Sequence, residues 1–129
     1  MNKKFLKKII AHSSEDLKLI SACCSGGRVK TGNIKYLPKN KIFLLFIDRL
    51  IKEEENNKDR VSSIIKFEYI YSSKSKNINQ KNIDLTIELL AIDIFKKDHN
   101  YEIILLFSNN GFITLTAEII DVVLEDLKD

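Results

Sequence analysis

The sequence predicts an α+β fold: a strongly bent antiparallel sheet or half-open barrel of six to seven strands, one helix after the first strand and a C-terminal helix. Three observations predict it. Residues 42–47 form an unbroken apolar run, typical of a strand covered on both faces. Later segments alternate apolar and polar side chains between polar turns. Two segments, 14–24 and 118–127, instead show the apolar spacing of a helix.

The N-terminal part predicts a strand and then a helix. The strand covers Lys3 to Ile10, and the helix runs from about Ser14 to Cys24 with Ser13 or Ser14 as its N-cap. Glycine tolerates the left-handed conformation of a C-cap, so Gly26-Gly27 should end this helix. One helical face carries Leu17, Ile20, Ser21 and Cys24.

A long β-hairpin is predicted from Val29 to Ile51, with its turn at Pro38-Lys39-Asn40. In its first arm the positions predicted to face inward change from odd to even residue numbers at Gly32-Asn33. The same change occurs in a later strand at Leu89-Leu90. Each shift predicts a β-bulge, which absorbs one extra residue and increases the twist. Two bulges imply a coiled sheet and therefore favour the half-open barrel.

The second half of the chain predicts four further strands, at 61–71, 85–94, 101–107 and 112–117. Residues 52–60 and 72–82 are polar and predict loops, and Ser108 to Gly111 predicts a tight turn. The C-terminal helix should carry Ile120, Val123, Leu124 and Leu127 on one face. A pleckstrin-homology-like barrel matches the strand count and the terminal helix, but it does not explain the early helix.

Size and composition predict a single domain over residues 1–129. The 21 basic and 18 acidic side chains give a net charge of +3, which demands no polyanionic partner. Because only three of the basic residues are arginines, we do not expect nucleic-acid binding. The sequence shows no secretory or membrane-spanning segment. Cys23 and Cys24 are adjacent, a poor geometry for a mutual disulfide, so reduced thiols and a cytoplasmic location are predicted.

No combination of residues defines a catalytic, cofactor or metal site. His12 and His99 have no further ligand at a metal-binding spacing, and Cys23-Cys24 lies at the helix end that disfavours a thiolate. We therefore expect no cofactor and no metal. Asp48-Arg49 interrupts the end of an apolar strand, either as a strand-end ion pair or as a ligand anchor. The weak ligand or interaction candidates are Asp48, Arg49, Arg28 and His12.

Two classes of function stay open from the sequence. The first is a small cytoplasmic, non-catalytic binding or protein-interaction module, whose partner is another protein or a second copy joined through a strand edge. The second is a small enzyme using scattered carboxylates or the Asp48-Arg49 pair. The sequence favours the first class, because it lacks any nucleophile–base or metal-ligand spacing. Weak nucleic-acid binding through the lysines of residues 74–81 is a third reading.

Four stretches of the sequence, in the same order, resemble an alphaproteobacterial protein family known only as a domain of unknown function. They are residues 17–22, 29–38, 48–50 and 89–92. The resemblance covers nearly the whole chain and implies no activity. It also implies a gene neighbourhood beside histidinol dehydrogenase. Asp48 and Leu50 depart from the Asn-Arg-Phe pattern of the family, so no role for this strand end is carried over.

Overall fold

The computed structural model describes residues 6–51 and 59–127, and this part of the chain forms ten β-strands and one α-helix. A short 3-10 turn at Thr31–Asn33 separates the second strand from the third. The elements are β1 (Lys8–Ala11), α1 (Ser14–Cys24), β2 (Gly27–Lys30), β3 (Ile34–Leu37), β4 (Ile42–Leu50), β5 (Arg60–Phe67), β6 (Ile70–Lys76), β7 (Thr86–Lys97), β8 (Asn100–Phe107), β9 (Phe112–Ala117) and β10 (Val122–Asp126).

All ten strands belong to one antiparallel sheet. Nine follow the order β1-β10-β5-β4-β2-β7-β8-β9-β6, and β3 pairs with β4 beyond the end of β2. Only Glu68 and Tyr69 connect β5 to β6, although five strands lie between these two in the sheet. The sheet must therefore curl until its last strand returns to its middle. At that point the Ile70 N–H donates to the Lys41 carbonyl at 2.8 Å.

The core lies inside the curled sheet, and α1 covers part of it. Leu17, Ile20 and Cys24 point inward from the helix, which packs mainly on β7. At the start of the helix Ser13 Oγ accepts the Asp16 N–H, which confirms the predicted cap. The predicted helix Ser14–Cys24 is likewise confirmed. Gly26, at φ +86°, then turns the chain directly into β2.

The predicted fold class is wrong in its strand count and in its C-terminal helix. Within residues 6–51 and 59–127 there are ten strands rather than six or seven, and α1 is the only α-helix. The segment predicted as a helix at 118–127 contains β10, which pairs with β1 and β5. Val122 and Val123 are β-branched and suit a pleated surface, and pairing with a strand on each side stabilises the extended form.

Several predicted boundaries also change. The long hairpin arm is broken by the 3-10 turn, so the bulge predicted at Gly32-Asn33 is wrong. The bulge predicted at Leu89-Leu90 is confirmed, because the β7–β8 register shifts between Leu89 and Ala91. The predicted strand 61–71 divides at Tyr69, whose φ is +60°. Part of the predicted loop 72–82 is instead strand β6. The predicted strand at 3–10 begins at Lys8 in the described chain, and residues 3–5 and 52–58 lie outside it.

Candidate functional site

The outer face of the sheet brings two of the candidate residues together. Arg28 of β2 lies opposite Asp48 of β4, and Asp48 lies opposite Ser62 of β5. Alternate side chains of a strand point to opposite faces, and the neighbours Val29, Ile47 and Ser63 are buried. Arg28, Asp48 and Ser62 therefore form one row on the outside of the sheet, and the exposed Glu88 of β7, opposite Arg28, continues it.

This row forms part of an open cleft of about 480 Å³, which we call the basic cleft. The 3-10 turn after β2 contributes to its shape, since it moves β3 along β4 and away from the end of β2. The polar residues that line the basic cleft are Arg28, Lys30, Asn33, Lys35, Asp48, Ser62, Ser63 and Thr86. Its apolar lining consists of Phe46, Ile47 and Leu127.

The charge of the basic cleft is unbalanced. Arg28, Lys30 and Lys35 supply three cations, whereas Asp48 supplies the single carboxylate of the lining. Among the described residues, no carboxylate lies within ion-pair distance of any of the three cations. Arg28 lies between two carboxylates across the sheet, Asp48 and Glu88, whereas neither Lys30 nor Lys35 lies opposite one. The two lysines are therefore the cations of the cleft best placed to attract an anionic group from solution.

The outer face beside the basic cleft is apolar. Phe46 lies opposite Ile64, and Leu44 lies opposite Lys66 on one side and Lys35 on the other. Phe46, Leu44 and Ile64 are half-buried, although their side chains point away from the core. An apolar strip between lysines is therefore continuous with the three cations of the cleft. Such a surface suits an amphipathic ligand.

Arg49 lies on the other face of β4 from Asp48, and it is not part of the basic cleft. Its guanidinium is 1% exposed and forms a two-pronged ion pair with Asp126 of β10. Arg49 Nε donates to Asp126 Oδ1 at 2.9 Å, and Nη2 donates to Oδ2 at 2.7 Å. The Ser63 hydroxyl donates to Oδ1 at 2.6 Å, and the Lys7 N–H donates to Oδ2 at 2.9 Å. Such a fully bonded carboxylate is a structural group inside the sheet.

The surroundings of Asp126 keep it ionised. Burial is the largest single effect and raises the pKa of this carboxyl. The hydrogen bonds from Arg49, Ser63 and the Lys7 N–H, together with the charge of Arg49, act in the opposite direction and outweigh burial. The pKa of Asp126 therefore lies below its ordinary value of 3.8.

The remaining candidates do not line the basic cleft. His12, just after β1, is exposed, and its Nε2 lies 3.5 Å from Asp121 Oδ1. Cys24 is buried in the core and Cys23 is half-buried, and neither forms a disulfide in the described chain. No group of three or more His, Cys, Asp or Glu side chains in the described chain could hold a metal ion.

A family model described as a protein of unknown function, DUF2948, matches residues 7–129. The chain belongs to DUF2948. No curated protein and no solved structure matches it. The predicted membership in a family of unknown function is confirmed. The alphaproteobacterial origin and the gene neighbourhood stay predictions.

The match places nearly the whole described part of this DUF2948 chain, including the basic cleft, inside the family model. No described helix of the DUF2948 chain has both the length and the apolar character needed to cross a membrane. Sequence reasoning identified Arg28 and Asp48 but did not identify Lys30, Lys35 or Phe46 as their neighbours. The alternation of Arg28, Val29 and Lys30 could have indicated two cations on one face of β2.

Proposed function

We propose that this chain is a small non-catalytic binding module that holds an acidic segment of a partner protein in the basic cleft. The observation that carries the proposal is the gathering of Arg28, Lys30 and Lys35 around one cleft, without a described ion-pair partner. We further propose a cytoplasmic location, since Cys23 and Cys24 are not joined in a disulfide.

An acidic polypeptide suits the cleft better than a nucleic acid does. Two of the three cations are lysines, which act as point charges and lack the planar fork that arginine offers to phosphates and bases. The apolar strip of Phe46, Leu44 and Ile64 would face the apolar side chains of a polypeptide. The net charge of the chain is only +3, which gives weak long-range attraction to a polyanion.

The alternative enzyme built on Asp48 and Arg49 loses support. The two side chains point to opposite faces of β4, and the Arg49 guanidinium is bonded to Asp126 inside the sheet. They cannot contact one substrate together. An enzyme would then have to use carboxylates elsewhere in the chain.

Reversing two cleft charges should weaken binding of an acidic segment. We expect the double variant Lys30→Glu, Lys35→Glu to bind a peptide of alternating Glu and Leu at least about tenfold more weakly than the wild type does. Backbone amide NMR shifts during the titration locate the peptide, and Phe46 and Asp48 should show the largest changes. The control is Lys74→Glu, Lys76→Glu, which changes the net charge equally on two exposed lysines of β6.

Equal weakening by the two double variants would contradict the proposal, because it would indicate non-specific attraction to any basic protein. Tighter binding of duplex DNA than of the peptide, at the same salt concentration, would assign the cleft to nucleic acid instead. We expect DNA to bind with a dissociation constant no lower than roughly 10⁻⁶ to 10⁻⁴ M, as non-specific lysine contacts give.

Neutralising the one cleft carboxylate should have the opposite effect. Asp48→Asn keeps the size of the side chain and removes the negative charge that faces the ligand. We expect about two- to fivefold tighter binding of the acidic peptide, the range of a single exposed charge interaction. Isothermal titration calorimetry measures this change directly. Weaker binding by Asp48→Asn would instead indicate that Asp48 contacts a donor of the ligand.

A further inference from the structure

The curled sheet leaves a seam between β3 and β6. In the described chain, β6 pairs only with β9, and β3 pairs only with β4. Two hydrogen bonds join the facing edges at one end of the seam. They are the Ile70 N–H to the Lys41 carbonyl at 2.8 Å and the Tyr36 hydroxyl to the Ile70 carbonyl at 3.0 Å. Beyond Ile70 the two edges separate, and the interior of the sheet opens there.

A pocket of about 440 Å³ occupies this opening, and we call it the seam pocket. Phe43 and Ile113, which belong to the core, form part of its lining, so the pocket reaches the interior of the sheet. The lining consists of Thr31, Gly32, Ile34, Tyr36, Phe43, Ser73, Ser75, Ile78, Gln80, Ile83 and Ile113.

The sequence of β6 explains why the interior is hollow at this place. Ser73 lies opposite Leu115, and Ser75 lies opposite Ile113, two buried residues whose side chains point into the core. Inward positions of the other long strands carry mostly leucine, isoleucine or phenylalanine. A serine side chain is too short to fill the corresponding volume. Both serines line the seam pocket, Ser73 half-buried and Ser75 exposed, and their short side chains leave this space open.

The solvent-side wall of the seam pocket is held in place by hydrogen bonds to backbone carbonyls. The Gly32 N–H donates to the Ile83 carbonyl at 2.9 Å, and the Thr31 N–H donates to the Leu85 carbonyl at 2.9 Å. The Thr31 hydroxyl donates to the Asn82 carbonyl at 2.6 Å. These bonds fix residues 82–85 against the 3-10 turn, so the pocket has a formed wall on the solvent side. Ile83 remains 62% exposed at this wall.

The chemistry of the lining defines the ligand. It contains no charged side chain, and six of its eleven residues are isoleucine or aromatic. Gln80 Nε2 donates to Ser75 Oγ at 2.6 Å, which orients both groups at the rim. The Ser73 hydroxyl has no hydrogen-bonding partner within residues 6–51 and 59–127, so it can bond to a ligand. A charged ligand would lose hydration here without gaining a counter-charge.

We propose that the seam pocket binds a small uncharged molecule that has an apolar body and at least one hydrogen-bonding group. The apolar body packs against Phe43, Ile34 and Ile113, and its polar group bonds to the Ser73 hydroxyl. The volume falls within the range of small-molecule sites, roughly 300–1,000 Å³, and the mouths of curled sheets are a common location for them. This site is separate from the basic cleft and does not depend on the function proposed for it.

Filling the pocket from β6 should weaken binding of a small uncharged probe. The probe is N-phenyl-1-naphthylamine, an uncharged aromatic amine whose fluorescence rises in apolar surroundings. We expect saturable binding of one probe per chain to the wild type and at least a tenfold loss in Ser73→Trp. The matched control is Ser72→Trp, which places the same side chain on the outer face of the same strand. Lys30→Glu, Lys35→Glu should leave probe binding unchanged.

A second variant keeps the test decisive if Ser73→Trp fails to fold. Ser73→Ala removes the hydroxyl without filling the pocket, and we expect a two- to tenfold loss of affinity with an unchanged thermal midpoint. Absence of saturable probe binding to the wild type would refute the proposal, and so would equal losses in Ser72→Trp and Ser73→Trp. A sulfonated analogue of the probe should bind more weakly than the uncharged one. Tighter binding of the sulfonate would overturn the assignment to uncharged ligands.

Discussion

Asp126→Ala should lower the free energy of unfolding by about 3–5 kcal/mol, the usual cost of removing one partner from a buried ion pair. The variant leaves the Arg49 guanidinium, which is 1% exposed, without its two-pronged carboxylate partner. It also removes the acceptor for the Ser63 hydroxyl and for the Lys7 N–H. Urea unfolding followed by circular dichroism at pH 7 measures the loss.

Two comparisons separate this effect from a general effect of mutating β10. Glu125→Ala changes the adjacent residue, which is exposed on the other face, and should cost no more than about 0.5 kcal/mol. The double variant Arg49→Met, Asp126→Leu removes both charges and should recover most of the stability lost by Asp126→Ala, because no unpaired charge is left buried. If the stability lost by the double variant equals the sum of the losses in Arg49→Met and Asp126→Leu alone, the two residues do not act as a pair.

The same pair should make the protein sensitive to acid. The pKa of Asp126 is lowered on folding, so the folded state binds this proton less readily than the unfolded chain does. Its contribution to stability is therefore fully present above the unfolded-state pKa, the ordinary value of 3.8. It is lost as the pH falls from there through the lowered folded-state pKa. We expect wild-type stability to fall in this range more steeply than that of Arg49→Met, Asp126→Leu.

The buried pair also explains why the sequence of the C-terminal strand predicts a helix. Val122, Leu124 and Asp126 are the inward positions of β10, but an aspartate at the third interrupts the apolar alternation that predicts a strand. Arg49 interrupts the inward row of β4 in the same way. Each interruption alone indicates a surface residue. Only the register of β4, β5 and β10 shows that the two charges meet inside the sheet.

The helix Ser14–Cys24 could be predicted because its cap and its apolar face are local signals. The seam and the cleft depend instead on long-range pairing. β6 has serines and lysines where a buried strand usually has apolar residues, so composition favoured a loop from Ser72 onwards. Pairing with β9 stabilises the strand despite this composition. Similarly, Arg28 and Asp48 are 20 positions apart in the sequence, and only the β2–β4 register makes them neighbours.

Leu124→Ala should lower the free energy of unfolding by about 2–5 kcal/mol, the range for a fully buried leucine. Leu124 is 0% exposed and lies between Ile9 of β1 and Ile65 of β5. Truncation therefore leaves a cavity between three strands. Because these contacts lie within one chain, the unfolding midpoint of the variant should be lower and independent of protein concentration.

A matched pair of valines tests the strand against the predicted helix. In β10 Val122 points inward and is 1% exposed, whereas Val123 is half-buried on the outer face. Val122→Ala should therefore cost more stability than Val123→Ala, the reverse of what the helical face with Val123 would require. Sedimentation of the wild type and of Leu124→Ala over a wide concentration range completes the test. A wild-type dimer that yields a folded Leu124→Ala monomer would show that Leu124 packs against a second copy, rather than inside its own sheet.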